Sequence, residues 1–158
     1  GTLIPSLEEF FQIAKRKNYS GIINVELKND IEHYPSMEEK VLSLIEKYQF
    51  NEQALISSFN HESIKHIRKL SSNIKIALLY DRKSAPILED LKEINAYSAN
   101  IEFHDFSKEL LETLQKNNIN LFCYTINPKE TLEKYINYGV DGIFTNNPIL
   151  GDKILKHL

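Results

Sequence analysis

One cysteine in 158 residues, Cys123, excludes an internal disulfide. Its neighbours Phe122 and Tyr124 are apolar, which points to a buried thiol rather than a reactive one. No stretch reaches the roughly 18 to 20 consecutive apolar residues of a membrane-spanning helix, and nothing at the start reads as a signal peptide, so the expected compartment is the cytoplasm. Charge of neither sign dominates. The 19 basic and 22 acidic residues are mixed along the chain to a net charge of −3, leaving no basic stripe for nucleic acid or a membrane surface. No Gly-rich loop follows any expected strand, which argues against a nucleotide-binding open sheet. With one Cys and no His-x-x-x-His pair, a zinc site built from such ligands is not expected either.

What the chain does have is alternation. Helical and strand patterns follow one another with little linker, the signature of repeated βα units and a parallel sheet in one domain over residues 1–158. Ser6 and Glu9 form a capping box for a helix over residues 6–17, with Leu7, Phe10, Phe11 and Ala14 at the helical period. Residues 21–28 then alternate, with Ile23, Val25 and Leu27 on one face and Asn24, Glu26 and Lys28 on the other, as in a strand with a polar inner face.

Ser36 and Glu39 predict a second capped helix carrying Val41, Leu44, Ile45 and Tyr48, followed by a strand over 54–59. Ile64, Ile67 and Leu70 mark a third helix, leading into a strand over 74–80. Pro86 suits the first turn of the next helix, with a weaker strand over 97–103 behind it. Ser107 opens a helix before a strand over 121–127. Asn127-Pro128 starts another helix, ending at Gly139, and Asn147-Pro148 opens the last one after a strand over 142–145. The count is about six strands and seven helices, against eight of each in roughly 250 residues for a complete (β/α)₈ barrel. The expected fold is therefore an incomplete TIM-type α/β barrel that lacks its first two strands.

In a parallel barrel the chemistry lies at the C-terminal ends of the strands. Glu26 and Lys28, two apart, point the same way there, where a carboxylate can bind a divalent cation and an ammonium can hold a phosphoryl oxygen. An internal Glu-Lys ion pair explains the same parity equally well. Asn60 and Asn127 are placed as helix N-caps. Of the histidines, His33, His66 and His157 read as surface or capping residues. His61 and His104 lie nearer strand ends but show no carboxylate partner at ligand spacing.

Five segments in order resemble one family: Ile4-Pro-Ser-Leu-Glu-Glu, Asn24-Val-Glu-Leu-Lys28, Ile56-Ser-Ser-Phe-Asn-His61, Tyr124-Thr-Ile-Asn127 and Gly139-Val-Asp-Gly-Ile-Phe-Thr-Asn-Asn-Pro148. Together they are similar to the glycerophosphodiester phosphodiesterases, TIM-barrel enzymes that use Ca²⁺ or Mg²⁺ to hydrolyse glycerophosphodiesters to glycerol 3-phosphate and an alcohol. The resemblance implies Glu26 as a metal ligand, Lys28 as a phosphate contact, and Phe59 and Tyr124 as walls of the substrate mouth they share. The family more often has Trp at Tyr124 and Asp at Asn146. Its His-Arg-Gly, Glu-x-Asp and second His motifs precede the Ile-Pro-Thr-Leu-Glu-Glu segment, whereas only Gly1-Thr2-Leu3 precede Ile4 here. The resemblance therefore implies a chain without its acid and base and inactive alone, or a non-catalytic binding or assembly module from the same barrel. Six strands of an eight-strand design leave the strands over 21–28 and 142–145 as edges, which call for a complementing N-terminal segment or a second copy in a homodimer.

Overall fold

The computed structural model describes residues 3–32, 34–82 and 84–156. The chain divides into two compact units, Gly1–Ile76 and Ala77–Leu158.

The first unit carries α1 (Leu7–Arg16), β1 (Ile23–Glu26), α2 (Met37–Lys47), β2 (Ala54–Ser58), α3 (His61–Leu70) and the start of β3 (Lys75–Tyr80). Its strands β1 and β2 run parallel, in a register from Ile23 opposite Ala54 to Glu26 opposite Ser57. Strand parity then divides the side chains. Ile23, Val25, Ala54 and Ile56 share one face with the buried Leu27, and all are buried along with Phe11, Val41, Ile45, Ile64 and Ile67 of the helices and Phe50 of the α2–β2 connection. The Phe11 and Phe50 rings lie 5.3 Å apart at its centre. The opposite face is more polar, with Asn24, Glu26 and Ser57, and the buried Asn24 Oδ1 and Ser57 Oγ have no hydrogen-bond partner among the described residues.

Local chemistry sets the helix ends. The Ser6 capping box forms as expected: the Glu9 amide donates to Ser6 Oγ at 3.2 Å and the Ser6 amide to Glu9 Oε2 at 2.7 Å. Asn60 caps α3, its Oδ1 accepting from the Ser63 amide at 3.2 Å. Where α3 ends, Arg68 gathers the free carbonyls: Nη1 donates to Ser71 O at 3.0 Å and also to Ser72 O, and Nη2 to Ile74 O at 3.0 Å. Ser36 differs from expectation. It precedes α2 with φ 59, outside the extended backbone region that N-caps use, and makes no side-chain capping bond. Glu39 pairs instead with His66, at 3.1 Å. Leu70, expected on the buried stripe, is 45% exposed, since the apolar contacts of α3 end one turn earlier at Ile67.

The second unit holds the rest of β3, α4 (Leu88–Glu93), β4 (Ser98–Glu102), a 3₁₀ turn (Phe103–Asp105), α5 (Lys108–Lys116), β5 (Asn120–Tyr124), α6 (Lys129–Tyr138), β6 (Gly142–Ile143) and α7 (Pro148–Leu155). Strands β3 to β6 are adjacent in chain order and all parallel. Six strands and seven α-helices among the described residues match the expected count. Ser107 and Asn147 cap α5 and α7. Gly139 closes α6 at φ 79, a left-handed position that suits glycine. Cys123 is fully buried, as its neighbours suggested.

Several boundaries move, and the strand expected over 121–127 is β5, which stops at Tyr124. Pro86 lies before α4, whose N-cap is Ile87, because its fixed φ is used in the extended approach rather than in the first turn. Asn127 is not the cap of α6. Its Oδ1 accepts from the Asn146 amide at 2.9 Å and from Thr145 Oγ1 at 3.4 Å, tying the ends of β5 and β6 together, and Pro128 stands at the cap. Strand β6 shortens to two residues, Gly142–Ile143, although Phe144 beyond it still bonds the β5 side, its amide donating to Cys123 O and its carbonyl accepting from the Ile126 amide.

Candidate functional site

Glu26 is the last residue of β1, and Lys28 lies two residues beyond the strand's end rather than within it. The backbone stays extended through Leu27, which is 3% exposed and donates its amide to Ser57 O at 2.8 Å. Glu26 and Lys28 therefore keep the shared orientation that parity predicted. Lys28 Nζ stands 4.0 Å from Glu26 Oε1, with side-chain exposures of 80% and 36%. A pair so open to water contributes little to stability. Glu26 and Lys28 form an exposed ion pair at a strand's C-terminal end, where an ammonium can also meet an anion. Phe59 follows β2 directly and is 36% exposed. Glu26, Lys28 and Phe59 thus stand at the C-terminal ends of two adjacent parallel strands.

Tyr124 belongs to the second unit, at the end of β5, where its hydroxyl donates to Tyr80 O at 2.6 Å. The same unit holds a cluster that sequence spacing did not reveal. Glu102, last in β4, accepts from Arg82 Nε at 3.3 Å and from the His104 amide at 3.0 Å, and its Oε1 lies 2.8 Å from His104 Nδ1. Arg82 Nη2 is 2.9 Å from that same Nδ1. Burial pushes the Glu102 carboxyl up, but the hydrogen bonds from Arg82 and His104 outweigh it and hold the group below the usual carboxylate range. The one legible signal was Glu102 and His104 two apart at a strand end; Arg82 comes from 20 residues earlier. His104 thus has the carboxylate partner it was expected to lack, and His66 has Glu39. His33 and His157 lie outside the described residues.

A divalent cation needs several oxygen ligands. Among the described residues no three His, Cys, Asp or Glu side chains are grouped to hold one, so Glu26 supplies at most a single ligand and these residues alone do not fit a resident Ca²⁺ or Mg²⁺. No described helix is long and apolar enough to cross a membrane.

Comparison with known proteins shows the family and the fold. Residues 1–150 match the Glycerophosphoryl diester phosphodiesterase family. A glycerophosphodiester phosphodiesterase of Caldanaerobacter subterraneus subsp. tengcongensis is 37% identical over 94% of this chain and 60% of its own length. One from Bacillus altitudinis is 36% identical over 98% of this chain and 64% of its own. Among solved structures, a Galdieria sulphuraria protein assigned as a glycerophosphodiester phosphodiesterase superposes with a TM-score of 0.86 at 27% identity, over 98% of this chain and 65% of that one. An Oleispira antarctica phosphodiesterase in complex with its product sn-glycerol-3-phosphate gives 0.78 at 20% identity, over 97% and 62%. The fold is the incomplete α/β barrel expected, and the chain spans about three-fifths of the length of the curated relatives it matches. With the family match running from the first residue to α7, this chain belongs to the glycerophosphoryl diester phosphodiesterase family.

Proposed function

We propose that this chain is the phosphate-gripping portion of a metal-dependent phosphodiesterase that converts glycerophosphodiesters to glycerol 3-phosphate and an alcohol. The observation that carries the proposal is the solvent-facing Lys28 beside Glu26 at the C-terminal end of β1, in a chain of this family. Lys28 neutralises a phosphoryl oxygen. Glu26 would provide one ligand of a Ca²⁺ or Mg²⁺ site whose other carboxylates are not among the described residues, and Phe59, at the end of the neighbouring strand, packs against the diester. Proton transfer to the leaving alkoxide needs an acid and a base, and none is assigned among the described residues, so these bind the diester rather than turn it over. β1 is paired by β2 alone and β6 by β5 alone among the described residues, which supports a complementing segment or a second copy at those edges.

The test has two arms. Titration with sn-glycerol 3-phosphate, followed by amide shifts around residues 26–30, is expected to show saturable binding that Lys28→Ala weakens at least ~5-fold, about 1 kcal/mol for a charge-assisted contact. Equal binding by Lys28→Ala overturns the assignment. Glycerophosphocholine hydrolysis with Ca²⁺ or Mg²⁺ is expected at background, because each absent acid or base forfeits ~10²–10⁴-fold. Turnover near ~1 s⁻¹ that Glu26→Ala abolishes contradicts that expectation.

A further inference from the structure

Lys28 is held by almost nothing of its own. Its side chain is 80% exposed and its nearest charge is 4.0 Å away. Its two neighbours, by contrast, are fixed. Leu27 O accepts from Ser58 Oγ at 2.7 Å. Asn29 is 6% exposed, and its backbone carbonyl accepts from Asn60 Nδ2 at 3.1 Å.

The Asn29 side chain is the hub of this arrangement. Its Nδ2 donates to Glu38 Oε1 at 3.1 Å and to Ser63 Oγ at 2.9 Å, while its Oδ1 faces Ser58 Oγ at 3.2 Å. Ser63 Oγ in turn donates to Glu38 Oε1 at 2.5 Å. Glu38, Ser58 and Ser63 are all buried. A buried polar network in which every member is satisfied fixes its members rigidly, and an error in one costs far more than at the surface. This one ties the turn after β1 to the turn after β2 and to the first turns of α2 and α3.

We infer that Asn29 is a positioning residue, which fixes the backbone of Lys28 so that its ammonium stands at the strand end for the anion. The inference rests on the reading of Lys28 as the phosphate contact. Only an amide serves at position 29, because the site needs donors toward Glu38 and Ser63 and an acceptor toward Ser58. A carboxylate of the same shape sets two acceptors against each other where Nδ2 now meets Glu38 Oε1, in a site shielded from water. Exchanging the polarity of both partners restores the match.

The experiment compares Asn29→Asp with the double variant Asn29→Asp/Glu38→Gln, reading amide order parameters along residues 27–30 and affinity for inorganic phosphate. Asn29→Asp is expected to lower the Lys28 order parameter from the rigid range near ~0.85 to below ~0.6, and to weaken phosphate binding about as much as Lys28→Ala. The double variant is expected to recover both, which a general loss of stability would not single out. An Asn29→Asp protein that folds with Lys28 as ordered as before overturns the inference, as does a double variant that recovers neither. If Asn29→Asp does not fold, Ser58→Ala, which removes the donor to Leu27 O and Asn29 Oδ1, is read in the same way. Phosphate affinity unchanged in Lys28→Ala refutes the phosphate reading alone, and the order parameters still decide whether Asn29 fixes the turn.

Discussion

Gly142 offers a sharp test of the packing in the second unit. It stands opposite Phe122 in the β5–β6 register, and a Cβ there would lie 2.6 Å from Phe122 Cδ1, 2.8 Å from Cε1 and 2.9 Å from Cγ. These atoms lie near the root of a rigid ring, and the ring meets Tyr97 and Phe144 edge-on, each at 6.2 Å, so it cannot swing aside without moving both. Overpacking of this kind costs ~1–3 kcal/mol. Replacing glycine within a strand returns roughly 0.5–1 kcal/mol of backbone entropy. Gly142→Ala should therefore destabilise by about 1–2 kcal/mol, which in a chain of this size lowers Tm by roughly 2–8 °C. Phe122→Ala removes the obstacle, so adding Gly142→Ala to it should be neutral or stabilising. Urea denaturation of the four proteins closes a double-mutant cycle with an expected coupling of ~1–3 kcal/mol, the overpacking cost itself. Additivity within ~0.3 kcal/mol would show that Phe122 does not cover Gly142 and would refute the reasoning.

The Cys123 thiol, pushed by burial and by the Glu102 charge from 9.0 up to about 12, should resist thiol reagents in the native protein at pH 8 and react only as the chain unfolds; rapid native labelling would contradict this. The native state keeps a proton that the unfolded chain releases, so this group's effect on stability is nil below pH 9 and increasingly unfavourable as pH rises from there toward about 12, a slope that Cys123→Ala should flatten. Glu102 works in the opposite sense. Its native carboxyl sits below its unfolded value, so its contribution is complete above the unfolded value and is lost as pH falls through the native one. Arg82→Ala should move the Glu102 carboxyl titration, followed by carbon-13 NMR, upward; an unmoved titration would mean that the 3.3 Å contacts do not persist in solution.

What could be read in advance was what short range decides. Ser6, Asn60, Ser107, Asn147 and Gly139 act on backbone within three or four residues, and each terminates its helix as the pattern implied. Ser36 belongs to the same residue class but does not cap, because its backbone is left-handed rather than extended, and composition does not encode that angle. Parity found Glu26 and Lys28, since alternation continues past the last ladder bond through Leu27. It could not find Arg82 with Glu102 and His104, or Asn29 with Glu38 and Ser63. Those partners come from separate turns up to 34 residues apart, and only the stacking of one βα unit on the next brings them together.

The grip of Arg68 on three carbonyls has a consequence for evolutionary change in loop length. The connection from α3 to β3 spans only four residues, 71–74, and three of its carbonyls are gathered by one planar guanidinium. Most surface loops absorb insertions at little cost. This one is closed by a fork of fixed width, so an added or deleted residue shifts a carbonyl out of reach, and a lysine, with a single point of charge, cannot span the set. In descendants of this sequence the α3–β3 turn is expected to keep its length for as long as it keeps its arginine.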